Sequence, residues 1–262
     1  MNYERFVVVG DSCAEGLDDP YPGGSQYRGW ADLVANGLAE RNRAVRYANL
    51  AVRGRRLDQI STEQLPDAER LRPDLAALFG GGNDVLAPGW NASIVATRVD
   101  TAVRRLTESA DTVVTFTLSD ISDRMPLGRR LRPRIEALNE AIRGAAETYG
   151  AVLVDLWPDQ AARDLRYFGR DRLHLGEHGH RRVAAHVLDR LGLPYARPWL
   201  DPLAGPPARP GPRAQADWLL REVLPAARTR LRNRIIGRSP GDGFLPKRPE
   251  LLPVTTMAGR SH

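Results

Sequence analysis

Cysteine and lysine are almost absent from this chain. Its 262 residues hold one cysteine, Cys13, so no disulfide can form within the chain. That suits a reducing compartment and excludes a small disulfide-stapled scaffold. Only Lys247 is a lysine; the other basic residues are arginines. No stretch approaches the roughly 18 consecutive apolar residues of a membrane span. The first residues carry no basic segment followed by an apolar run, so no secretory signal is expected and the expected location is cytoplasmic. Aromatic residues make up 6% of the chain and do not interleave with its basic stretches. The stacking platform of a single-strand nucleic-acid binder is therefore missing, and nucleic acid is not an expected partner. His174, His178 and His180 lie close in sequence, but zinc would want a further Cys, His or carboxylate with them. No metal and no cofactor are expected.

What is present is a basic excess confined to one end. Residues 1–196 hold 26 arginines against 27 acids, a balance of −1, whereas residues 197–262 hold 12 basic residues against 5 acids, a balance of +7. The high isoelectric point therefore describes the tail and not the rest of the chain. Hydrophobic residues make up 42% of the sequence, enough for one α/β core with an appendage.

That core begins at Phe6-Val7-Val8-Val9, four apolar residues running into Gly10-Asp11-Ser12. The pattern predicts a buried strand ending in a sharp turn. Further strands are expected at 44–50, 75–79, 112–117 and 151–156. The first ends at Gly54, the second in Gly80-Gly81-Gly82-Asn83-Asp84. Helical apolar spacing separates them. Trp30, Leu33, Val34 and Leu38 share one face, as do Val95, Val99, Val103 and Leu106, then Ile135, Leu138 and Ile142. Leu57, Ile60 and Leu65 suggest a short helix closed by Pro66, and a last core helix is expected over 177–191. Strand–helix alternation predicts a parallel sheet covered on both faces.

This core domain is expected to span 1–191. Residues 192–212 contain seven prolines and read as a linker. A basic extension and tail follow over 213–262, helical at first around Trp218, Leu219, Val223 and Leu224, and extended or disordered from 237 onward. The apolar stripe suits docking on the core; the arginines suit an anionic partner.

In an open α/β sheet, ligands meet the carboxyl ends of the strands. Three such ends offer Ser12, Gly54 and Asn83. A fourth group comes from Asp171-Arg172-Leu173-His174, whose spacing puts a carboxylate within a turn of an imidazole. Ser12 would be the nucleophile, His174 its general base and then acid, and Asp171 the residue orienting His174. The N–H groups of Ser12 and Gly54 and the amide of Asn83 would hold an oxyanion. Asp11 and Asp84 read as structural, orienting the loops that carry Ser12 and Asn83. Arg53, Trp90 and Tyr167 are pocket candidates from their place beside these blocks.

These blocks resemble the SGNH/GDSL hydrolase superfamily: Gly10-Asp11-Ser12, with Cys13 replacing the usual leucine; Asn49-x-Ala51-x-x-Gly54; Gly81-x-Asn83-Asp84; and Asp171-x-x-His174. All four occur in the family's order. The resemblance implies a three-layer α/β/α sandwich around a five-stranded parallel sheet, flavodoxin-like, and a serine esterase needing no metal. It implies a small-molecule ester as substrate and leaves the acyl and alcohol parts open. An acyltransferase would use the same triad. A non-catalytic protein binding through its basic tail is the reading from a different class.

Overall fold

The computed structural model describes residues 2–21, 27–207 and 209–254. β1 (Arg5–Gly10) leads into α1 (Ser12–Glu15) and α2 (Gly29–Arg41). β2 (Arg46–Asn49) is followed by α3 (Leu57–Gln59), a wide π-type turn over Ile60–Gln64, and α4 (Leu65–Leu71). Next come β3 (Leu75–Phe79), α5 (Gly82–Val85) and α6 (Ala92–Ser109). β4 (Thr112–Phe116), α7 (Gly128–Tyr149), β5 (Val152–Val154) and α8 (Glu177–Arg190) complete the core. The C-terminal part contributes α9 (Pro212–Trp218), α10 (Leu224–Ile235) and β6 (Arg248–Pro253).

The strands lie in the order β5-β4-β3-β1-β2-β6. The first five run parallel, as the strand–helix alternation requires. Side chains alternate across the sheet, so Phe6 and Val8 meet the layer built from Trp30, Val34, Val187 and Leu188 on α2 and α8. Val7 and Val9 face the opposite layer, with Val99, Leu106 and Leu138 on α6 and α7. Every residue of β3 is buried, which is why it reads as an unbroken apolar run. Each of these buried Val, Leu and Phe side chains, taken from water, contributes about 1.5–3 kcal/mol.

Two expectations need correction. Pro66 does not close a helix. It sits in the first turn of α4, where the missing N–H costs nothing, and the π-type turn before it lets the helical run continue. The sheet has six strands and not five. β6 pairs antiparallel with β2, Arg46 opposite Pro253 and Tyr47 opposite Leu252. The tail is thus ordered over 248–253, within the stretch expected to be extended or disordered; the part of that expectation covering 255–262 lies outside the described residues. An edge strand tolerates Pro249 and Pro253 because one side needs no ladder.

Besides the pairing of β6 with β2, side chains fasten the C-terminal part to the core at several places. Arg166 donates to the carbonyls of Leu203, Ala204 and Gly205, and Arg182 to that of Leu200. Trp218 is buried, with its indole N–H donating to Arg170 O at 2.9 Å and its ring under the Arg172 guanidinium at 3.9 Å. Lys247 donates to the carbonyls of Tyr27 and Arg28 and pairs with Asp32.

Candidate active site

Ser12 is set by the turn that precedes it. Gly10 has φ +148°, and a Cβ there would stand 2.1 Å from Phe79 O, so only glycine lets β1 and β3 end this close together. Gln64, in the π-type turn, clamps the same residue: Gly10 N donates to its Oε1 at 2.8 Å and its Nε2 donates to Gly10 O at 2.9 Å. Asp11 caps α1 by accepting from Cys13 N at 3.0 Å. Asn49 fixes the other side of the turn. Its amide donates to Ala14 O at 2.9 Å, and its Oδ1 accepts from Ala51 N at 3.1 Å.

His174 reaches this turn from a loop closed by Gly169 N donating to His174 O at 2.8 Å. Asp171 Oδ1 accepts from the N–H groups of Leu173 and His174 at 2.9 and 3.0 Å, leaving Oδ2 to meet His174 Nδ1 at 2.5 Å. His174 Nε2 lies 2.8 Å from Ser12 Oγ. Hydroxyl, imidazole and carboxylate therefore form one hydrogen-bonded line across 162 residues of sequence.

The electrostatics suit that line. Burial works against a charged His174, but the hydrogen bond and charge of Asp171, with Asp18 and Asp11 behind it, outweigh burial and raise its pKa. Burial works against ionised Asp171 too, and the bond from His174 with the two backbone donors outweighs it, so its pKa is lowered. Burial lifts Asp11 to about 6, against the bond from Cys13 N–H. Burial, then the charges of Asp11 and Asp171, push the Cys13 thiol well above its ordinary range. A thiol kept protonated is a poor nucleophile, so Cys13 serves as wall.

That wall belongs to a cavity of about 110 Å³ beside Ser12 and His174, lined mainly by Phe79, Val85, Leu118, Ile121, Ile135, Leu156 and Phe168. Asn83 lines it too, and its amide faces Asp11 Oδ2 at 3.3 Å and Arg55 O at 3.2 Å. Gly54 instead lines an adjoining cavity of about 660 Å³ that shares Asn83, Leu86 and Arg230 with the first. Gly54 has φ +77° and packs against Pro240 and Gly241 of the C-terminal part. Asp84 accepts from Leu57 N at 2.9 Å and pairs with Arg98, holding the Asn83 loop.

Arg53, Trp90 and Tyr167 do not line the cavity beside Ser12. Arg53 is drawn to Glu15, Trp90 lies under Arg134, and Tyr167 lines a separate cleft with Arg182. His178 and His180 both fall on α8. His180 is wholly buried; its Nδ1 accepts from Trp30 N at 3.1 Å and its Nε2 donates to Leu17 O at 3.0 Å. Burial lowers its pKa to about 4, which keeps it neutral and structural.

Sequence reasoning did not find three side chains near the site. Asp18, at φ +67°, stands with Asp171 and His174 so that their ligand atoms lie within 4.8 Å of one another. The two His174 nitrogens there already face Asp171 and Ser12. Arg124 lines the Ser12 cavity while donating to the carbonyls of Arg172, Asp120 and Ala162 and to Ser119 Oγ. Burial lowers its pKa to about 10. Arg230 arrives from α10. No local pattern marks any of the three, since only tertiary packing brings them in.

The profile of the GDSL-like lipase/acylhydrolase family matches residues 8–182. The chain belongs to that family. It is accordingly a carboxylic ester hydrolase. Among solved structures it is similar to LAE5, an α/β hydrolase enzyme from the metagenome of Lake Arreo, Spain. The two are 21% identical, with a TM-score of 0.61 over 72% of this chain and 95% of that one. It is similar also to Axe2, an acetylxylan esterase from Geobacillus stearothermophilus, at 17% identity and TM-score 0.62 over 74% of this chain and 96% of that one. These likenesses are of fold. No curated protein sequence matched. Among the described residues no helix is long and apolar enough to cross a membrane.

Proposed function

We propose that this family member is a serine esterase that removes a short acyl group through an acyl-enzyme on Ser12. The observation carrying the reading is the line Ser12 Oγ–His174 Nε2, His174 Nδ1–Asp171 Oδ2, at 2.8 and 2.5 Å.

Ser12 Oγ attacks the ester carbonyl carbon while its proton passes to His174 Nε2. The imidazolium so formed is stabilised by Asp171, which also fixes the tautomer. The carbonyl oxygen, now anionic, takes hydrogen bonds from the Ser12 and Gly54 N–H groups and the Asn83 amide. The long bond from Asn83 to the neutral Arg55 carbonyl, at 3.2 Å, is readily exchanged for a charged acceptor, which binds about twice as strongly as a neutral one. Collapse breaks the carbon–oxygen bond to the alcohol, and that oxygen leaves with the proton from His174. Water then adds to the acyl-enzyme, giving its proton to His174, and the carboxylic acid departs as Ser12 regains its hydrogen.

The apolar cavity receives the acyl group. At about 110 Å³ it is smaller than the roughly 150 Å³ cavity that holds one benzene molecule. An acetyl or short aliphatic acyl group fits, and an acetyl ester is what the name of the Geobacillus enzyme specifies. The test is turnover of p-nitrophenyl acetate and of longer-chain homologues by the protein and by Ser12→Ala. The expected result is a kcat/KM that falls as the chain lengthens and is lost, by at least about 10³-fold, in Ser12→Ala. Equal turnover by the two proteins would overturn the reading.

A further inference from the structure

The cavity beside Ser12 is lined on one side by apolar groups and on another by arginines. Its interior is apolar, but its outer side opens toward α10, where Arg230 lines both it and the larger cavity beyond. That larger cavity is also lined by Arg56 and Arg238. Its one acid, Asp242, is already paired with Arg55 at 2.8 Å and accepts from Ser239 N at 2.9 Å. Arg56 meets Asp58 only loosely, at 3.7 Å. Among the described residues, Arg230 and Arg238 have no carboxylate within 4.0 Å and donate no side-chain hydrogen bond.

The position of α10 is not accidental. Trp218, sealed against the loop of Asp171 and His174, holds the chain before α10, and Pro240 and Gly241, packed on Gly54, hold it after. A Cβ on Gly54 would lie 2.7 Å from both Gly241 N and Pro240 Cβ. α10 is thus strung between the base loop and the oxyanion loop, and Arg230 is delivered at the mouth. Arg230 is exposed on its outer side, and on its inner side the nearby charge of Asp171 favours its own. A guanidinium so placed, with its fork unfilled, is suited to a bidentate oxyanion.

We propose that Arg230, assisted by Arg238 and Arg56, binds an oxyanion carried on the alcohol portion of the ester, so that the substrate is an acyl ester of a phosphorylated or carboxylated alcohol. The proposal rests on the esterase reading for its chemistry, because the acyl group enters the apolar interior and the leaving alcohol must then point toward α10. Arg230 acts in specificity and takes no proton.

The experiment compares phenyl acetate with 4-acetoxyphenyl phosphate and 4-acetoxybenzoate as substrates for the full chain, Arg230→Gln and Arg230→Lys. The ratio of kcat/KM for the anionic ester over the neutral one is expected to fall at least about tenfold in Arg230→Gln and to be partly restored in Arg230→Lys. A larger fall with the phosphate assigns a phosphorylated alcohol, and a larger fall with the benzoate a carboxylated one. A ratio unchanged within about twofold for both anionic esters overturns the proposal. Binding of 4-hydroxyphenyl phosphate and 4-hydroxybenzoate to Ser12→Ala, with and without Arg230→Gln, separates this proposal from the esterase reading. At least tenfold weaker binding of either in the double variant upholds the anion site even if no ester is turned over. Equal binding of both rejects the site even if Ser12-dependent turnover is robust.

Discussion

Arginine does two different jobs in the two parts of this chain. Up to residue 196 about half of the arginines are mortar, 14 of 26 being paired with an acid among the described residues. Arg28 meets Asp19 at 2.9 Å, Arg182 meets Asp159 at 2.7 Å, and Arg98 meets the buried Asp84 at 3.2 Å. Each partner acid also caps or ties a turn, so the charges balance and the loops around the site stay fixed. After residue 196 the balance fails. Arg221 pairs with Asp217, but Arg228, Arg230, Arg232 and Arg238 have no such partner among the described residues. The lesson is that arginines tied to acids or carbonyls fix the loops around the reacting groups, while the described ones of α10 and the turn after it keep their guanidinium groups free.

The comparison is broken most severely at Asp171. Asp171→Asn leaves the shape of the His174 loop but strips the imidazole of its counter-charge, and kcat is expected to fall about 10⁴-fold. Because Asp171 raises the His174 pKa, the rising limb of the kcat/KM–pH profile, which needs neutral imidazole, should move to lower pH in the variant. A limb that stays in place would remove Asp171 from the line. Asn83→Ala should cost about 10²–10³ in kcat with a smaller effect on KM, as for one oxyanion donor; steady-state kinetics on p-nitrophenyl acetate measure it. Trp218→Ala tests the other half of the comparison. Removing a buried indole costs about 3 kcal/mol in a core, and urea unfolding should show a loss of that order or an earlier separate transition from the C-terminal part. The last effect concerns His180 and appears only as pH changes. Its folded pKa, about 4, lies below the unfolded value near 6.5, so the unfolded state binds more protons between those values. Stability from this group is complete above pH ~6.5 and is lost as pH falls toward ~4. Asp11, raised by burial to about 6, has the opposite dependence over that range. The check is therefore the difference in urea midpoint between the protein and His180→Gln, which should shrink as pH falls from ~6.5 to ~4; a difference that does not change with pH would contradict it.

Much of this molecule was legible before its structure. The parallel strands announced themselves as apolar runs, and the groups near Ser12 sit in short motifs whose spacing is local. Asp171 and His174 are three residues apart, so the chain itself carries their relation. What was hidden depends on distant partners. β6 holds two prolines and no clean alternation, and only the open edge of β2 makes it a strand. Pro66 looked like a stop because the π-type turn before it has no sequence signature. Arg230 is one arginine among many in a basic tail, and its role comes from where two anchors suspend its helix.

The antiparallel strand has one more consequence, for synthesis. Arg248 donates to Tyr47 O across 201 residues, so β2 leaves the ribosome long before its cover exists. Until then its outer rim of N–H and C=O groups stands open, a template for any other nascent strand. Chains cut short of residue 248 should therefore precipitate or pair with one another, because they lack the strand that closes the rim of β2.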